Sequence, residues 1–350
     1  MRPVAQANTV SGNCMAKRHG RLWERITSLE NFQQAYARAV SGKSKMRNII
    51  AFAADVDGNL ALVRELLISK RFTTSPYQIK IITEPKRREI FVLPFSPDRI
   101  VQHALMNVVE PIWNNLMISD SYACRIGKGQ HAGSRRAMEF VRRHKYCLQC
   151  DIAKFYPSIS HDILAGIVRK KIKCPDTLWL IDDIIYSYPG GSNAPIGNYT
   201  SQWMGNLYLN ELDQFVKHVL KPSGYLRYCD DFCLFGDDKR QLHGFRNAIE
   251  EFLDTRLRLR YSFAEVFPVS AGLDFLGYRH FKSHILLRKS TARRVKRRLR
   301  LLPKLLAAGK ITNEQMRSSL ASTRGWLRWA CTHNLAVAMQ LDDMEEICRA

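Results

Sequence analysis

The chain has 350 residues, of which 25% are charged and 10% aromatic. These proportions exclude a disordered or low-complexity protein and indicate a globular chain of two or three domains or subdomains. Lys and Arg number 54 against 32 Asp and Glu, which gives a net charge of +22; this indicates a polyanionic partner, because basic side chains that neutralise phosphates release condensed counterions.

The N-terminal part of the sequence predicts helices followed by strands. Residues 1–20 are interpreted as a flexible tail, and apolar residues recur with helical spacing over 22–69. Over 77–93 apolar residues alternate with polar ones, which predicts strands. A helix is predicted over 97–111, with Ser96 as its N-cap.

The middle of the chain predicts a sheet backed by helices. A strand is expected over 146–152 and helices over 160–172 and 200–220. Two short apolar runs, 225–228 and 232–235, flank adjacent acids, which predicts a β-hairpin with carboxylates at its tip. The buried face of the long helix is predicted to carry Tyr208, Leu212, Phe215 and Val219. This order of elements is typical of a sheet covered on one face by helices.

The C-terminal segment is strongly basic. Eight of the thirteen residues over 288–300 are Lys or Arg. With helical spacing, one face carries Val295, Leu299, Leu302 and Leu306, and another carries Arg293, Arg297, Arg300 and Lys304. The pattern predicts an amphipathic helix with a core stripe and a phosphate-facing stripe; the alternative is a solvated basic face.

No segment of the sequence is typical of export or of a membrane span. Residues 1–17 are polar and lack the apolar core of a secretory signal, and no apolar run approaches the roughly 18 residues that cross a bilayer. The nine cysteines are scattered, so we expect reduced thiols, a cytoplasmic protein and no membrane partner. Cys147 and Cys150 form a lone C-x2-C pair without further ligands at zinc spacing, and are interpreted as core residues.

Three acidic residues stand at the ends of predicted strands. Asp230 and Asp231 lie between two apolar runs, where packing does not explain their mutual repulsion and a pair of divalent cations would relieve it. Asp151 ends an apolar strand about 80 residues earlier, and it supplies either a third carboxylate or a helix cap. Two cations ~3.5–4 Å apart would stabilise both oxygens of an in-line phosphoryl transfer.

In chain order, these residues resemble the motifs of reverse transcriptases. Asp151, with an aromatic residue five positions on, resembles motif A, and the Tyr-Cys-Asp-Asp of 228–231 resembles motif C. Residues 194–210 resemble motif B, and their Ile-Gly-x3-Ser-Gln form is similar to the enzymes of diversity-generating retroelements. Residues 85–90 and 98–102 resemble the fingers motifs, and residues 275–278 resemble the primer-contacting region after the palm.

The resemblance implies an α+β right-hand polymerase fold, with an antiparallel palm sheet backed by helices and a helical thumb. The expected boundaries are an N-terminal tail and helical extension over 1–70, fingers over 71–145, a palm with interleaved fingers portions over 146–285, and a basic thumb over 286–350.

The resemblance also implies roles for individual residues. Asp151, Asp230 and Asp231 would be catalytic and, with Ile152, would hold two Mg²⁺ ions, for which Mn²⁺ could substitute. Tyr156 would stack under the deoxyribose and block a 2′-hydroxyl, the alternative being a core residue. Contacts with the incoming nucleotide are expected from Lys86, Arg88, Ile196, Gly197 and Gln202. Contacts with nucleic acid are expected from Ser201, Gly277, Arg293, Arg297 and Arg300.

Several of these residues have plainer alternatives. Lys86 and Arg88 could form a solvated charged turn, Gly197 an ordinary turn, and Ser201 with Gln202 a helix cap. Ile196 departs from the family pattern, because many relatives carry Gln before the glycine, where it could bond to the nucleotide sugar. The stretch 261–265 also lacks the Lys that some members use as an acid for pyrophosphate departure.

The function implied is that of an RNA-directed DNA polymerase that makes cDNA from template RNA and dNTPs, with errors concentrated at adenines. Its expected partners are the template RNA, the RNA/cDNA duplex and a small basic oligomeric accessory protein. The alternative is an enzyme of the group II intron or retron type, although the chain is short for an intron enzyme. A non-catalytic RNA-binding protein on a polymerase fold is a second alternative, against which the three carboxylates argue.

Overall fold

Two compact units divide the chain, and each is built from two separated segments. The computed structural model describes residues 18–83 and 87–347, so most of the predicted N-terminal tail lies outside the described residues. The first unit contains the residues up to 112 together with 160–201, and the second contains 113–159 together with the residues from 202 onward. The chain therefore crosses from one unit to the other three times.

Helices and antiparallel strands make up both units. In chain order, the helices are α1 (Trp23–Ile26), α2 (Leu29–Val40), α3 (Arg47–Ala53), α4 (Val56–Ile68), α5 (Ile100–Asn114), α6 (Gln130–Arg143), α7 (Phe155–Ser158), α8 (His161–Arg169), α9 (Pro175–Tyr186), α10 (Tyr199–Phe215), α11 (Lys239–Phe252), α12 (Lys289–Ala307), α13 (Asn313–Leu327), α14 (His333–Ala338) and α15 (Leu341–Ile347). The strands are β1 (Gln78–Ile82), β2 (Arg88–Val92), β3 (Tyr146–Ile152), β4 (Gly224–Tyr228), β5 (Asp231–Gly236), β6 (Tyr261–Pro268), β7 (Leu273–Phe275), β8 (Tyr278–His280) and β9 (Ile285–Leu287). This mixture confirms the predicted α+β class.

The second unit is organised around a four-stranded antiparallel sheet in the order β4-β5-β3-β6. Strand β3 coincides with the predicted strand over 146–152, and it is apolar because it lies inside the sheet and is covered by packed side chains. Cys147 packs with Phe140 and Val141 of α6 and with Phe235 of β5. Cys147 and Cys150 are fully buried free thiols, which confirms them as core residues.

The predicted helix over 97–111 is shifted towards the C-terminus. It begins at Ile100 and runs to Asn114, after an irregular turn in which Ser96 is extended and caps nothing. The buried carboxylate of Asp98 holds this turn, because it accepts hydrogen bonds from the backbone N–H (2.9 Å) and the hydroxyl (2.7 Å) of Ser75. Ser96 thus has the extended backbone expected of an N-cap before the helical residues 97–99, but without a capping hydrogen bond. The strands predicted before it are confirmed as the antiparallel pair β1–β2.

The predicted buried face of the long helix is partly confirmed. Tyr208 and Leu212 are fully buried, whereas Val219 is 65% exposed, so its placement on that face was wrong. The cause is a change of helix type, because α10 ends at Phe215 and the chain continues as a π-helical turn, Val216–Leu220. The wider turn of a π-helix rotates later residues away from the face that α-helical spacing predicts.

The C-terminal basic helix is amphipathic, as predicted. Leu299 and Leu302 of α12 are buried in a cluster with Met316 and Leu320 of α13, whereas the arginines on the other face are exposed. Within the described part of the chain, no helix combines the length and the apolarity that a bilayer span requires.

Candidate active site

The hairpin of β4 and β5 carries two carboxylates at its turn, as predicted. Tyr228 pairs with Asp231, which leaves Cys229 and Asp230 as a two-residue turn. Cys229 has a φ of +54°, and glycine is the usual residue where the first position of such a turn needs a positive φ. A side chain held in this conformation is strained, and such strain is frequent at functional sites.

Strand β3 brings Asp151 beside this hairpin. In the antiparallel pairing of β3 with β5, Gln149 lies opposite Cys233 and Cys150 lies opposite Phe232. The next step of the same register sets Asp151 opposite Asp231, and residues directly opposite each other in such a ladder have Cα atoms about 4.5–5.5 Å apart. Two strand ends and one turn thus bring Asp151, Asp230 and Asp231 together.

The electrostatics of Asp231 reflect this crowding. Burial is the main cause that raises the pKa of Asp231 to about 8, and the charges of Asp151 and Asp230 raise it further. A hydrogen bond from the amide of Gln149, 3.4 Å from Oδ1 of Asp231, acts in the opposite direction. The carboxylates therefore repel one another at close range, and a cation between them would offset the repulsion.

Two polar side chains orient the carboxylates. The hydroxyl of Ser262 on β6 donates a hydrogen bond to Oδ2 of Asp151. Besides Asp231, the amide of Gln149 reaches the backbone oxygen of Asp274 at 2.9 Å. The side chain of Asp274 is paired with Arg288, the residue that precedes α12. A chain of polar contacts thus links Asp231 to the start of the basic helix.

The donor set has the chemistry that a divalent cation requires. Three carboxylates on neighbouring strand ends supply the oxygen ligands that Mg²⁺ prefers. The pKa of Asp231 is raised by its burial and by the charges of Asp151 and Asp230, although the Gln149 amide and the Arg288 charge act against this. As the side chains stand, the described ranges 18–83 and 87–347 contain no group of three or more His, Cys, Asp and Glu already closed enough to hold a metal ion. Binding would therefore require the carboxylates to move closer together. Ile152, which was also expected at the metal site, is a buried strand residue.

A buried ion pair holds the hairpin turn in place. Arg227 and Asp213 are both 0% exposed, and two nitrogens of the guanidinium lie 2.8 Å and 2.5 Å from the two carboxylate oxygens. Although burial alone lowers the pKa of Arg227, the Asp213 carboxylate raises it overall, so the guanidinium stays charged. The same guanidinium donates to the carbonyl of Cys229 at 3.0 Å, which fixes the turn that carries Asp230.

Tyr156 lies close to the same turn. It is half-buried in the short helix α7, and its hydroxyl lies near the thiol of Cys229 and the carboxylate of Asp230. Burial is the main cause that raises the pKa of this hydroxyl, so it stays protonated near neutral pH. The residue expected to contact the sugar is thus held next to the carboxylates.

Four of the other predicted site residues belong to the first unit. Arg88 is exposed at the start of β2, and Ser201 is only 4% exposed in α10. The carbonyl of Ile196 accepts a hydrogen bond from the N–H of Phe91 at 2.7 Å. Gly197 has a φ of +121°, and a Cβ there would be 2.8 Å from the Phe91 carbonyl oxygen. Close approach to β2 thus explains this glycine. Lys86 lies outside the described residues.

The remaining predicted residues belong to the second unit. Gln202 is exposed on α10, next to the buried Trp203. Gly277 has a φ of +82°, and a Cβ there would be 3.0 Å from the ring of Trp326, so packing against α13 explains the glycine. The exposed face of α12 carries Arg293, Arg297 and Arg300.

Sequence reasoning missed the residues that orient the carboxylates. Gln149 is a lone polar residue in an apolar strand, two positions before Asp151 and therefore on the same face, which was a usable signal. Arg227 interrupts an apolar run in the same way. Ser262 gave no signal, because its role depends on the pairing of β6 with β3.

Several known proteins are similar to the chain. The profile of the family described as "Reverse transcriptase (RNA-dependent DNA polymerase)" matches residues 84–280, which is more than half of the chain. Protein YkfC of Escherichia coli K12 is 24% identical over 269 residues, covering 63% of this chain and 70% of YkfC. The group II intron-encoded protein LtrA of Lactococcus lactis is 24% identical over 132 residues, covering 35% of this chain and 22% of LtrA.

A solved structure gives a further comparison. Apo telomerase from Candida tropicalis, truncated from its C-terminal domain, aligns over 65% of this chain and 60% of the telomerase chain, with a TM-score of 0.46 and 13% identity. The matched residues 84–280 contain Asp151, Asp230 and Asp231 together with β3 and the hairpin that bring them together. The chain therefore belongs to the reverse transcriptase family.

Proposed function

We propose that the protein is an active RNA-directed DNA polymerase in which Asp151, Asp230 and Asp231 hold two divalent cations, Mg²⁺ or alternatively Mn²⁺. The observation that carries the proposal is the register that sets Asp151 opposite Asp231, with Asp230 next to it in the turn. Membership of the reverse transcriptase family supports it. The substrates would be dNTPs, a template RNA and the growing RNA/cDNA duplex.

The residues of the chain would orient the reaction. When bound, the two cations would stabilise the attacking and leaving oxygens of an in-line phosphoryl transfer. The Ser262 hydroxyl and the Gln149 amide fix the orientation of Asp151 and Asp231, and Arg227 fixes the turn between them. The ring of Tyr156, whose hydroxyl lies near Cys229, would lie against the sugar and exclude a 2′-hydroxyl.

The duplex would lie against the exposed face of α12. Arg293, Arg297 and Arg300 share this face and are exposed, while the opposite face is fixed in the core by Leu299 and Leu302. A row of guanidinium groups on a rigid helix suits successive phosphates, which are bound without regard to base sequence.

Within the family, we infer an enzyme of the diversity-generating type that works with a small basic accessory protein. The support is the motif formed by Ile196, Gly197, Ser201 and Gln202. The second candidate is an enzyme of the group II intron type, which the similarity to LtrA favours. A repeat in the flanking DNA whose copies differ at adenines would support the first candidate, and an intron around the gene would support the second.

Primer extension tests the proposed catalytic role. Asp230→Asn combined with Asp231→Asn should abolish Mg²⁺-dependent extension of oligo(dT) on poly(rA) and leave RNA binding intact. The matched control is Asp254→Asn, an exposed carboxylate of the second unit, which should keep full activity. Near-normal extension by the double variant would refute the metal site. No extension by the wild type under any metal would favour a non-catalytic RNA-binding protein.

A further inference from the structure

The ring of Tyr156 is seated between a helix and the hairpin turn. A Cβ added to Gly205 of α10 would be 3.1 Å from Cε1 of Tyr156 and 3.2 Å from Cε1 of Phe155. The rings of Phe155 and Tyr156 are themselves in contact, with centroids 5.1 Å apart. The Tyr156 hydroxyl lies near the Cys229 thiol of the hairpin turn. The ring is thus bounded by α10, by Phe155 and by the turn.

Gly205 is not required by the helix that contains it. It lies in the interior of α10 with an ordinary helical φ, where glycine is unfavourable relative to alanine. The neighbouring rings account for it, because any side chain would force them to give way by a few tenths of an ångström. Gly244 in α11 has nothing within 4 Å of its added Cβ, so not every helical glycine here is packed.

We propose that Gly205 is a positioning residue that sets sugar discrimination by fixing the depth of the Tyr156 ring. The inference rests on the proposed function, in which this ring meets the sugar of the incoming nucleotide. The ring of Phe155 is buried, with 3% exposed, whereas Tyr156 is half-buried. A methyl group on α10 is therefore expected to displace the Tyr156 ring rather than the ring of Phe155, and in the proposed function the displaced ring is the one that meets the sugar.

The expected result for Gly205→Ala is stricter exclusion of ribonucleotides. The ratio of kcat/KM for dNTP over rNTP should rise about three- to tenfold, below the roughly 10- to 200-fold effect of a whole methylene group in a pocket. The change should appear mainly in KM for the rNTP, because the ring moves into the volume of the 2′-hydroxyl. Tyr156→Ala should act oppositely and lower the ratio, because the ring that meets the 2′-hydroxyl is gone.

A double-mutant cycle separates a positioning role from a structural one. Gly205→Ala should leave the ratio unchanged when Tyr156→Ala is also present, because the ring through which it acts is gone. Gly244→Ala is the matched control; it gains the same helix propensity, and should raise the melting temperature without changing the ratio. Retained RNA binding and a cooperative melting transition show that each variant is folded.

The outcomes distinguish the inference from the function on which it rests. If Tyr156→Ala does not change the ratio, the sugar contact of Tyr156 is wrong and the inference falls with it. If Tyr156→Ala lowers the ratio but folded Gly205→Ala leaves it at the wild-type value, the sugar contact stands and the positioning role of Gly205 is overturned. If Gly205→Ala does not fold alone, it is measured together with Phe155→Leu, where the smaller side chain makes room for the methyl group. A ratio equal to that of Phe155→Leu alone then overturns the positioning role of Gly205.

Discussion

The ion pair of Asp213 and Arg227 should be among the most sensitive points of the second unit. Both side chains are 0% exposed, and Tyr225 donates a further hydrogen bond to Asp213 at 2.7 Å. Asp213→Asn leaves the guanidinium charge buried without a counter-charge, which destabilises a protein by about 3–5 kcal/mol. For a unit of 150–250 residues, each kcal/mol lowers the melting temperature by about 2–4 °C, so a decrease of roughly 6–20 °C is expected.

Thermal unfolding followed by circular dichroism measures this effect. The matched control is Glu139→Gln, which removes the same charge from an exposed ion pair with Arg136 and should cost less than about 1 kcal/mol. A decrease for Asp213→Asn no larger than that of the control would refute the reasoning, because the buried charge would then be compensated in some other way.

A second variant separates stability from positioning. Replacing the pair by Asp213→Leu and Arg227→Met removes both charges, so most of the lost stability should return. The carbonyl of Cys229 loses its donor in this variant, so primer extension should remain impaired. Full recovery of both stability and extension would show that Arg227 has no part in fixing the turn.

Three further predictions concern pH, salt and fidelity. Burial lowers the pKa of His280 to about 4. Between pH 6.5 and 4, the unfolded chain therefore takes up a proton that the folded chain does not. The free energy of unfolding should fall by about 3 kcal/mol over that range. If the free energy of unfolding of His280→Asn fell equally over this pH range, His280 would not be the cause. Replacing Arg293, Arg297 and Arg300 by Gln should weaken duplex binding. The slope of the logarithm of the binding constant against the logarithm of the salt concentration should become shallower by about 0.7–0.9 for each lost phosphate contact. An unchanged slope would mean that this face meets solvent or protein instead. Ile196→Gln should reduce misincorporation about three- to tenfold, most strongly at template adenines, and identical error spectra would exclude a role in fidelity.

The local pattern of the sequence predicted well the strands that carry the three acids. The run over 146–152 and the two runs around Asp230 and Asp231 are apolar because they form the interior of a sheet, and burial of this kind is visible in the residues themselves. The hairpin followed from two short runs around a polar turn. These elements bring the carboxylates together, so the centre of the site could be predicted.

The features that the sequence did not predict depend on partners distant in sequence or on changes of helix type. Nothing near Arg227 indicates that Asp213 will meet it from another element. In the sequence, Gly205 reads only as a residue that weakens its helix. The rings that require it, those of Tyr156 and Phe155, are 49 and 50 residues earlier. Val219 was misplaced because apolar spacing cannot distinguish an α-helical turn from a π-helical one.

The sheet order β4-β5-β3-β6 has a consequence for folding during synthesis. Strand β3 is made first but lies inside the sheet, so its neighbours β5 and β6 are still absent when it leaves the ribosome. At 5–20 residues per second, the last residue of β6 follows Ile152 by about 6 to 23 s. An apolar strand with two open edges is prone to pair wrongly during that interval, so chaperone binding should concentrate on nascent chains of this length. Of the three carboxylates, Asp151 is the first to be made, and its strand is the last to gain both neighbours.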